Sequence, residues 1–269
     1  TSFKVGDRVI SAQINHFAEP GLGSGWGGFC DYVLACDHDA MVRDGVADAA
    51  HGWFDLAIVQ RPVAADVQAE EAVLLCTWRE VYGGIGDFNL QPGQKVLIYG
   101  GGPVGLSFAK FCKLLGLGWI GLVDRHAEKR ALALKMGADE AFSPEEIAAQ
   151  ASGLAGSLDA VVDAIGREEL VNGALPLIKL GGTIGVYGVI SADTLTLQKS
   201  RGPMNFNLIV HQWPTRLRER AALEPLTGWI REGKLSASEF VTHRFPIEEI
   251  NQGVAEIRAG RVVKCLLKF

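Results

Sequence analysis

Three closely spaced glycines near the middle of the chain have the spacing of a phosphate-binding turn. Gly100, Gly102 and Gly105 follow the apolar run from Lys95 to Tyr99 and open a helical pattern. The first glycine permits a tight turn out of a strand, the second lets the backbone approach a pyrophosphate, and the third lets the helix pack closely on the strand. The helix N-terminus then offers free N–H groups to phosphates. The predicted contacts are Gly100, Gly102, Pro103, Val104 and Gly105.

An acidic residue follows the next apolar run. Asp124 comes directly after Trp119 to Val123, at about the twenty-residue offset where a carboxylate receives the hydroxyls of an adenosine ribose. A carboxylate at this place repels a 2′-phosphate, so its charge favours NAD over NADP, whereas Arg125 beside it weakens that preference. A glycine-rich turn of another α/β fold, with an acid there by chance, is the alternative interpretation.

Two further apolar runs, 160–163 and 182–187, end in small residues. Ligands of parallel sheets bind at the carboxyl ends of the strands, so both ends are candidates for nucleotide contacts. Small residues are also common where any strand ends in a turn, and this explains the same residues equally well. The candidates are Ala164, Ile165, Gly166, Val186, Tyr187 and Gly188.

The elements that must position these residues alternate between strand and helix from Gln91 onward, which predicts an α/β fold with a doubly wound parallel sheet. The residues before about 78 are loop-rich and strand-like instead. We therefore expect three segments, a partial β-rich domain over 1–78, a nucleotide-binding domain over 79–213, and a C-terminal return to the first domain over 214–269. The predicted strands are 8–10, 31–34, 95–99, 118–123, 160–163, 182–187, 239–245 and 262–269, and the predicted helices are 103–115, 127–136, 217–232 and 247–257.

Composition excludes several classes of function. Of the 269 residues, 48% are hydrophobic and 21% charged, which is typical of a folded globular protein. A net charge of -5 argues against a nucleic-acid or anionic-membrane partner, and no long apolar stretch or signal peptide is apparent. Five cysteines without regular spacing argue against a disulfide framework. We expect a cytoplasmic protein that acts on a small molecule.

With these motifs together, the sequence resembles the medium-chain dehydrogenase/reductase superfamily, in its zinc-type alcohol and polyol (sorbitol-like) dehydrogenase branch. The resemblance rests on the glycine motif with Asp124, on the segments 5–9 and 27–32, and on the ending 241–246 with Ile250 and 263–264. It implies a β-rich, GroES-like catalytic domain beside the nucleotide-binding domain. It also implies that the segment with the first two zinc ligands precedes Thr1, so that the catalytic domain is incomplete at its N-terminus.

The resemblance assigns roles that spacing alone does not. Lys129 matches a position that grips the adenosine ribose, and the backbone of 186–189 matches the segment that holds the nicotinamide carboxamide. Cys76 matches the third protein ligand of the catalytic zinc, since a thiolate suits tetrahedral zinc. The alternative for Cys76 is a small buried residue in a helix. Side chains that act directly on the substrate remain unassigned.

The function implied by the resemblance is an NAD-dependent oxidoreductase that moves hydride between an alcohol or polyol and the nicotinamide, with zinc assistance. One alternative is a zinc-independent quinone or enoyl reductase of the same superfamily, and another is a nucleotide-binding protein that has lost catalysis. The resemblance further implies a homodimer or homotetramer, formed through an edge strand near Thr194 to Leu197.

Overall fold

The computed structural model describes residues 2–10, 33–211 and 213–269. The chain divides into two compact units, one formed by Thr1–Gly83 with Thr215–Ala237 and the other by Gly84–Pro214 with Ser238–Phe269. The described strands are β1 (Arg8–Ile10), β2 (Arg61–Val63), β3 (Lys95–Tyr99), β4 (Trp119–Val123), β5 (Glu140–Phe142), β6 (Leu158–Asp163), β7 (Ile178–Val186), β8 (Asn207–Val210), β9 (Val241–Pro246) and β10 (Lys264–Lys268). The α-helices are α1 (His38–Arg43), α2 (Ala69–Asp87), α3 (Pro103–Leu114), α4 (Ala127–Met136), α5 (Pro144–Leu154), α6 (Glu168–Ala174), α7 (Arg216–Ala221), α8 (Leu223–Arg231) and α9 (Ile250–Arg258).

A six-stranded parallel sheet forms the centre of the second unit. Its strands lie in the order β5-β4-β3-β6-β7-β8, so β3 has β4 on one side and β6 on the other. The strand order therefore reverses beside β3, and a crevice opens at the carboxyl ends of strands on either side of such a point. The predicted α/β fold with a doubly wound sheet is confirmed.

The sheet forms because its strands are rich in β-branched and other apolar residues that are buried on both faces. On one face Leu97, Val161 and Ile184 pack in a cluster with the inner side of α5 and α6. On the other face Phe88 stacks against Phe108 of α3, with ring centroids 6.1 Å apart. This two-sided burial fixes the register that places the strand ends at one edge.

The first unit, in its described residues, is built from short elements around α2. β1 and β2 pair antiparallel, and α7 packs on the 3-10 helix Asp55–Val59. The predicted strand 31–34 lies partly outside the described residues, and Val33 and Leu34 are not in a strand. The other predicted strand, 8–10, is confirmed as β1, and residues 11–32 lie outside the described part of the chain.

Two expectations from the sequence are wrong. The single helix predicted over 217–232 is interrupted at Ala222, because Pro225 has no N–H to donate to the carbonyl of Ala221. Residues 194–197 form no strand, and the two edge strands of the sheet are β5 and β8. The residues before β8 are rich in turn formers, so the sequence does not indicate the short strand that follows them.

The C-terminal segment divides differently from the sequence expectation of one return over 214–269. Thr215–Ala237 groups with the first unit, whereas Ser238–Phe269 groups with the second. β9 and β10 pair with each other, and Lys110 Nζ of α3 lies 2.6 Å from Glu239 Oε1. This ion pair joins the segment to α3 of the second unit.

Candidate functional site

The turn between β3 and α3 is built by glycines that a side chain would disrupt. Gly100 has a φ of +105°, a left-handed conformation that favours glycine. A Cβ on Gly105 would lie 1.7 Å from the carbonyl oxygen of Gly100, so the helix can approach the strand only if residue 105 has no side chain. Pro103 occupies the first turn of α3. Its missing N–H costs no hydrogen bond there, because the first N–H groups of a helix have no partner within the helix.

Gly102 differs from its neighbours because its surroundings are open. It precedes the first residue of α3 with an extended backbone, and a Cβ there would meet no atom within 4 Å. The protein therefore leaves free the space in front of the helix N-terminus, beside Pro103 and Val104. Free backbone N–H groups and the helix dipole make that space suitable for a phosphate group.

Asp124 stands at the end of β4 and is held by the backbone. Its Oδ2 accepts a hydrogen bond from the N–H of Gly101 at 2.7 Å, and its Oδ1 accepts one from the N–H of His126 at 2.8 Å. Each carboxylate oxygen keeps a lone pair for a further donor. The carboxylate is thus orientated before any ligand binds, and it stands one strand away from the open space at Gly102.

The loop after β6 is organised by a buried carboxylate. Asp163 is 1% exposed. Its Oδ1 accepts from the N–H groups of Ile165 and Gly166, and its Oδ2 from that of Arg167, at 2.8–2.9 Å. The loop consequently presents Ile165, 45% exposed, as an apolar surface at the sheet edge. Tyr99 lies in this region, and burial, reinforced by the Asp163 charge, raises the pKa of its hydroxyl to about 12.

A pocket of about 680 Å³ lies at the carboxyl ends of β3 and β4, beside Asp124 and the loop after β6, and the glycines of the turn before α3 are not among its lining residues. This volume is within the range of small-molecule sites. Its lining combines apolar residues of α5 and α6 with charged residues that follow β4 or precede α6. The residues that carry the argument are Asp124, Arg125, Lys129, Ile165 and Arg167. A planar apolar base between Ile165 and α5, with its sugar on Asp124, fits this distribution of polar and apolar surface.

Most of the predicted nucleotide contacts lie at one edge of the sheet, but the side chains of some of them are buried in the protein. Val186 and Tyr187 are buried, and the Tyr187 ring packs edge-to-face on Phe108, with centroids 5.3 Å apart. Their side chains are therefore not available to a ligand. A Cβ on Gly188 would lie 2.2 Å from the N atom of Gly166. The glycines therefore let the loops after β6 and β7 touch, with Ala164 and Ile165 in the first loop.

Comparison with known proteins agrees with this geometry. Residues 103–212 match the family model described as zinc-binding dehydrogenase. The S-(hydroxymethyl)glutathione dehydrogenase of Candida maltosa is 26% identical over 99% of this chain and 77% of its own length. Sorbitol dehydrogenase of Bombyx mori is 27% identical over 65% of this chain, and the match spans about half, 51%, of that relative.

The fold is also that of a solved structure. 2R,3R-butanediol dehydrogenase from Bacillus subtilis superposes with a TM-score of 0.72 at 18% identity, over 100% of this chain and 76% of that chain. At this identity the superposition shows the fold alone. Together with the sequence matches, it makes the chain similar to zinc-binding dehydrogenases of the medium-chain dehydrogenase/reductase superfamily, among them alcohol and polyol dehydrogenases.

The described residues do not assemble a zinc site of the kind that the resemblance implies. Cys76 lies inside α2, where its thiol is half-buried and forms no disulfide. In residues 2–10, 33–211 and 213–269, no three His, Cys, Asp or Glu side chains are grouped to hold a metal. The described donor set therefore does not fit a complete zinc site. The assignment of Cys76 as a metal ligand stays a prediction.

Several pocket residues escaped the sequence analysis of this dehydrogenase homologue. Pro144 and Ile147 lie at the start of α5, and Arg167 and Arg201 add positive charge. The Ser143-Pro144-Glu145-Glu146 segment carries a capping box, and this signal predicts a helix start. Nothing in the sequence indicates that Arg201 reaches the pocket. In the described part of the chain no helix is long and apolar enough to cross a membrane.

Proposed function

We propose that this chain binds NAD(H) and serves hydride transfer between an alcohol or polyol and the nicotinamide ring. One observation carries the proposal. The open N-terminus of α3 and the pre-orientated Asp124 carboxylate lie one strand apart at the same edge of the sheet. That separation suits the pyrophosphate and the adenosine ribose of a single dinucleotide.

Each part of the site has a task in this proposal. Asp124 accepts the ribose hydroxyls, and Lys129 beside it reaches the same sugar. The apolar wall at Ile165 takes the adenine, and the turn at Gly102 takes the pyrophosphate. The charge of Asp124 disfavours a 2′-phosphate, which supports NAD over NADP. NAD⁺, when bound, supplies the hydride acceptor for oxidation of an alcohol to a carbonyl compound.

Support for an alcohol or polyol substrate comes from the relatives, whose names describe alcohol, polyol and hydroxymethylglutathione dehydrogenases. The described residues do not define a substrate pocket, and the proposal takes no step through zinc.

Assembly is a further part of the proposal. A second copy of this chain would pair along β8, an edge strand of the sheet, and light scattering that found only monomers would contradict this.

The sharpest test replaces Gly102, because a side chain there fills ligand space without meeting protein atoms. We expect Gly102→Val to keep the fold and to weaken NAD⁺ binding at least about a hundredfold, since its methyl groups occupy the place of the pyrophosphate. Calorimetry with NAD⁺, NADH and NADP⁺ measures the affinities, and thermal unfolding checks the fold.

Gly153→Ala is the matched control. Gly153 lies in α5, and a Cβ there also meets no atom within 4 Å. We expect this variant to bind NAD⁺ like the wild type and to be slightly more stable, because alanine favours a helix over glycine. No binding of NAD⁺ or NADH to the wild type, or a clear preference for NADP⁺, would refute the proposal.

A further inference from the structure

The pocket at the carboxyl ends of β3 and β4 extends beyond the part that an adenosine would fill. From Asp124 it continues between α5 and α6, which line it as far as Ala151 and Leu177. Pro144 and Ala151 are seven residues apart on α5, which corresponds to about 10 Å along the helix. An adenine base beside Ile165 accounts for the outer part of this space. The part between the two helices has no role in the proposed function.

The inner part of the pocket is apolar, and small residues leave it open. We call it the inner groove. A Cβ on Gly173 of α6 would meet no atom within 4 Å, so this side of the helix faces free space. The residues that define the inner groove are Ala148, Ala151, Leu170, Gly173 and Leu177. Such a surface gains free energy when an apolar chain covers it.

Tyr99 adds a polar group to this apolar surrounding. Its side chain packs in one cluster with Ile147 of α5 and Leu170 of α6. The residue is 8% exposed, and its hydroxyl has no hydrogen-bond partner in the part of the chain that the structure describes. The hydroxyl is not among the unpartnered polar atoms that are sealed from solvent, so it opens into the pocket that Tyr99 lines. Polar groups this deep in a protein are nearly always paired, and here the pairing is left to a ligand.

The hydroxyl of Tyr99 is a donor at every physiological pH. Burial, reinforced by the charge of Asp163, raises its pKa to about 12, so the proton stays on the oxygen. Arg167 lies close to it in the fold, because its backbone N–H donates to Asp163, the register partner of Tyr99 on β6. The two side chains therefore present donors at the entrance of the inner groove.

The charges around the pocket favour an anion. Among its lining residues in the described chain, Asp124 is the one acidic side chain. The basic ones are Arg125, Lys129, Arg167 and Arg201. None of these four forms an ion pair within the described ranges. The adenosine of a dinucleotide is uncharged, and its pyrophosphate belongs at the turn before α3, so the proposed function does not account for this excess of positive charge.

We propose that this pocket also binds an aliphatic carboxylate, with its chain in the inner groove and its head group at the Tyr99 hydroxyl and Arg167. A carboxylate only accepts hydrogen bonds, so it suits a site that offers only donors. The inference goes beyond the proposed function, because it adds a second class of ligand. The head group lies where the adenosine would enter, so the carboxylate and the nucleotide exclude each other.

The test uses octanoate, butanoate and octanamide as probes, and calorimetry with the full chain in the absence of nucleotide measures their affinities. Each buried CH₂ group strengthens binding about fourfold. We therefore expect octanoate to bind about a hundredfold more tightly than butanoate. Octanamide keeps the chain and lacks the charge, and it should bind about tenfold more weakly than octanoate.

Two variants locate the ligand. Tyr99→Phe removes the hydroxyl alone and should weaken octanoate about tenfold, the factor typical of one good hydrogen bond. Gly173→Leu fills the inner groove and should abolish the advantage of octanoate over butanoate. Tyr82→Phe, which removes a half-buried hydroxyl from α2, and Gly153→Ala, on α5 outside the pocket lining, are the matched controls. Both should bind octanoate like the wild type.

Thermal unfolding checks that each variant is folded, and Tyr99→Phe decides alone if Gly173→Leu does not fold. The inference is overturned if octanoate does not bind the wild type, or if Tyr99→Phe and Gly173→Leu bind it as tightly as the wild type does. Octanoate that leaves the affinity for ADP-ribose unchanged would lie elsewhere and would overturn it as well. If ADP-ribose itself does not bind, the proposed function fails, and the two variants still decide the question of the carboxylate.

Discussion

At the scale of single residues, the candidate site depends on groups that are orientated before a ligand arrives. Asp124 is fixed by the N–H groups of Gly101 and His126, and Asp163 is fixed by three N–H groups of its own loop. The two carboxylates do different work. Asp163 is buried inside the protein and shapes the loop, whereas Asp124 lines the pocket and keeps lone pairs for a ligand.

Replacing Asp124 by asparagine tests this distinction. Asn keeps an acceptor for the Gly101 N–H, so we expect the fold to survive. The lost charge weakens the hydrogen bonds to the ribose, and NAD⁺ affinity should fall by about 1.5–3 kcal/mol, the contribution typical of bonds to a charged group. NADP⁺ should lose less, because the repulsion of its 2′-phosphate is removed.

Calorimetry with both nucleotides measures this change, and Asp193→Asn, on an exposed loop, is the control that should bind like the wild type. An unchanged ratio of the NAD⁺ and NADP⁺ affinities would contradict the role of Asp124 in discrimination.

At the scale of elements, the turn between β3 and α3 depends on a close approach of the helix to the strand. The contact between Gly105 and the carbonyl of Gly100 sets that distance. We expect Gly105→Ala to destabilise the protein by about 1–3 kcal/mol or more, because the new methyl group meets rigid backbone and forces the helix to move. Urea unfolding measures the free energy, and Gly153→Ala should show no such loss.

The turn and its two strands were predictable from sequence because local rules determine them. Glycine spacing, the continuous apolar runs of the strands and a period of 3.6 in α3 all describe neighbouring residues. β5, α6 and β8 were missed, since each is short and its apolar residues make sense only against a sheet that is already formed. The pocket residue Arg201 was missed for the same reason, because tertiary packing brings it to the site.

At the scale of the whole molecule, each unit is assembled from segments far apart in the sequence. In the first unit Arg79 of α2 is fully buried and meets Glu219 of α7. Arg79 Nη1 also donates to the carbonyl of Val59 at 2.7 Å, and Arg216 lies 3.5 Å from the second Glu219 oxygen. No local pattern predicts such a pairing, which explains why the sequence did not indicate how Thr215–Ala237 joins the first unit.

This buried pair gives a stability prediction with a defined pH dependence. Burial raises the pKa of Glu219 in the folded state, and the positive charge of Arg79 opposes that rise. Because the folded pKa lies above the unfolded one, any contribution from Glu219 is favourable at low pH and is lost as pH rises through the folded pKa. Arg79→Met removes the opposing charge and raises the pKa further. We expect a loss of about 3–5 kcal/mol at neutral pH, as for other broken buried pairs, and a smaller loss near pH 5.

Urea unfolding followed by tryptophan fluorescence at both pH values measures these losses. Glu219→Leu in the Arg79→Met background removes the stranded carboxylate, so it should recover much of the stability and abolish the pH dependence. Exposed Arg43, paired with its neighbour Asp44 at the surface, supplies the control, and Arg43→Met should cost less than about 1 kcal/mol at either pH. If the double variant were no more stable than Arg79→Met alone, lost packing at Arg79 would account for the effect instead of the uncompensated charge of Glu219.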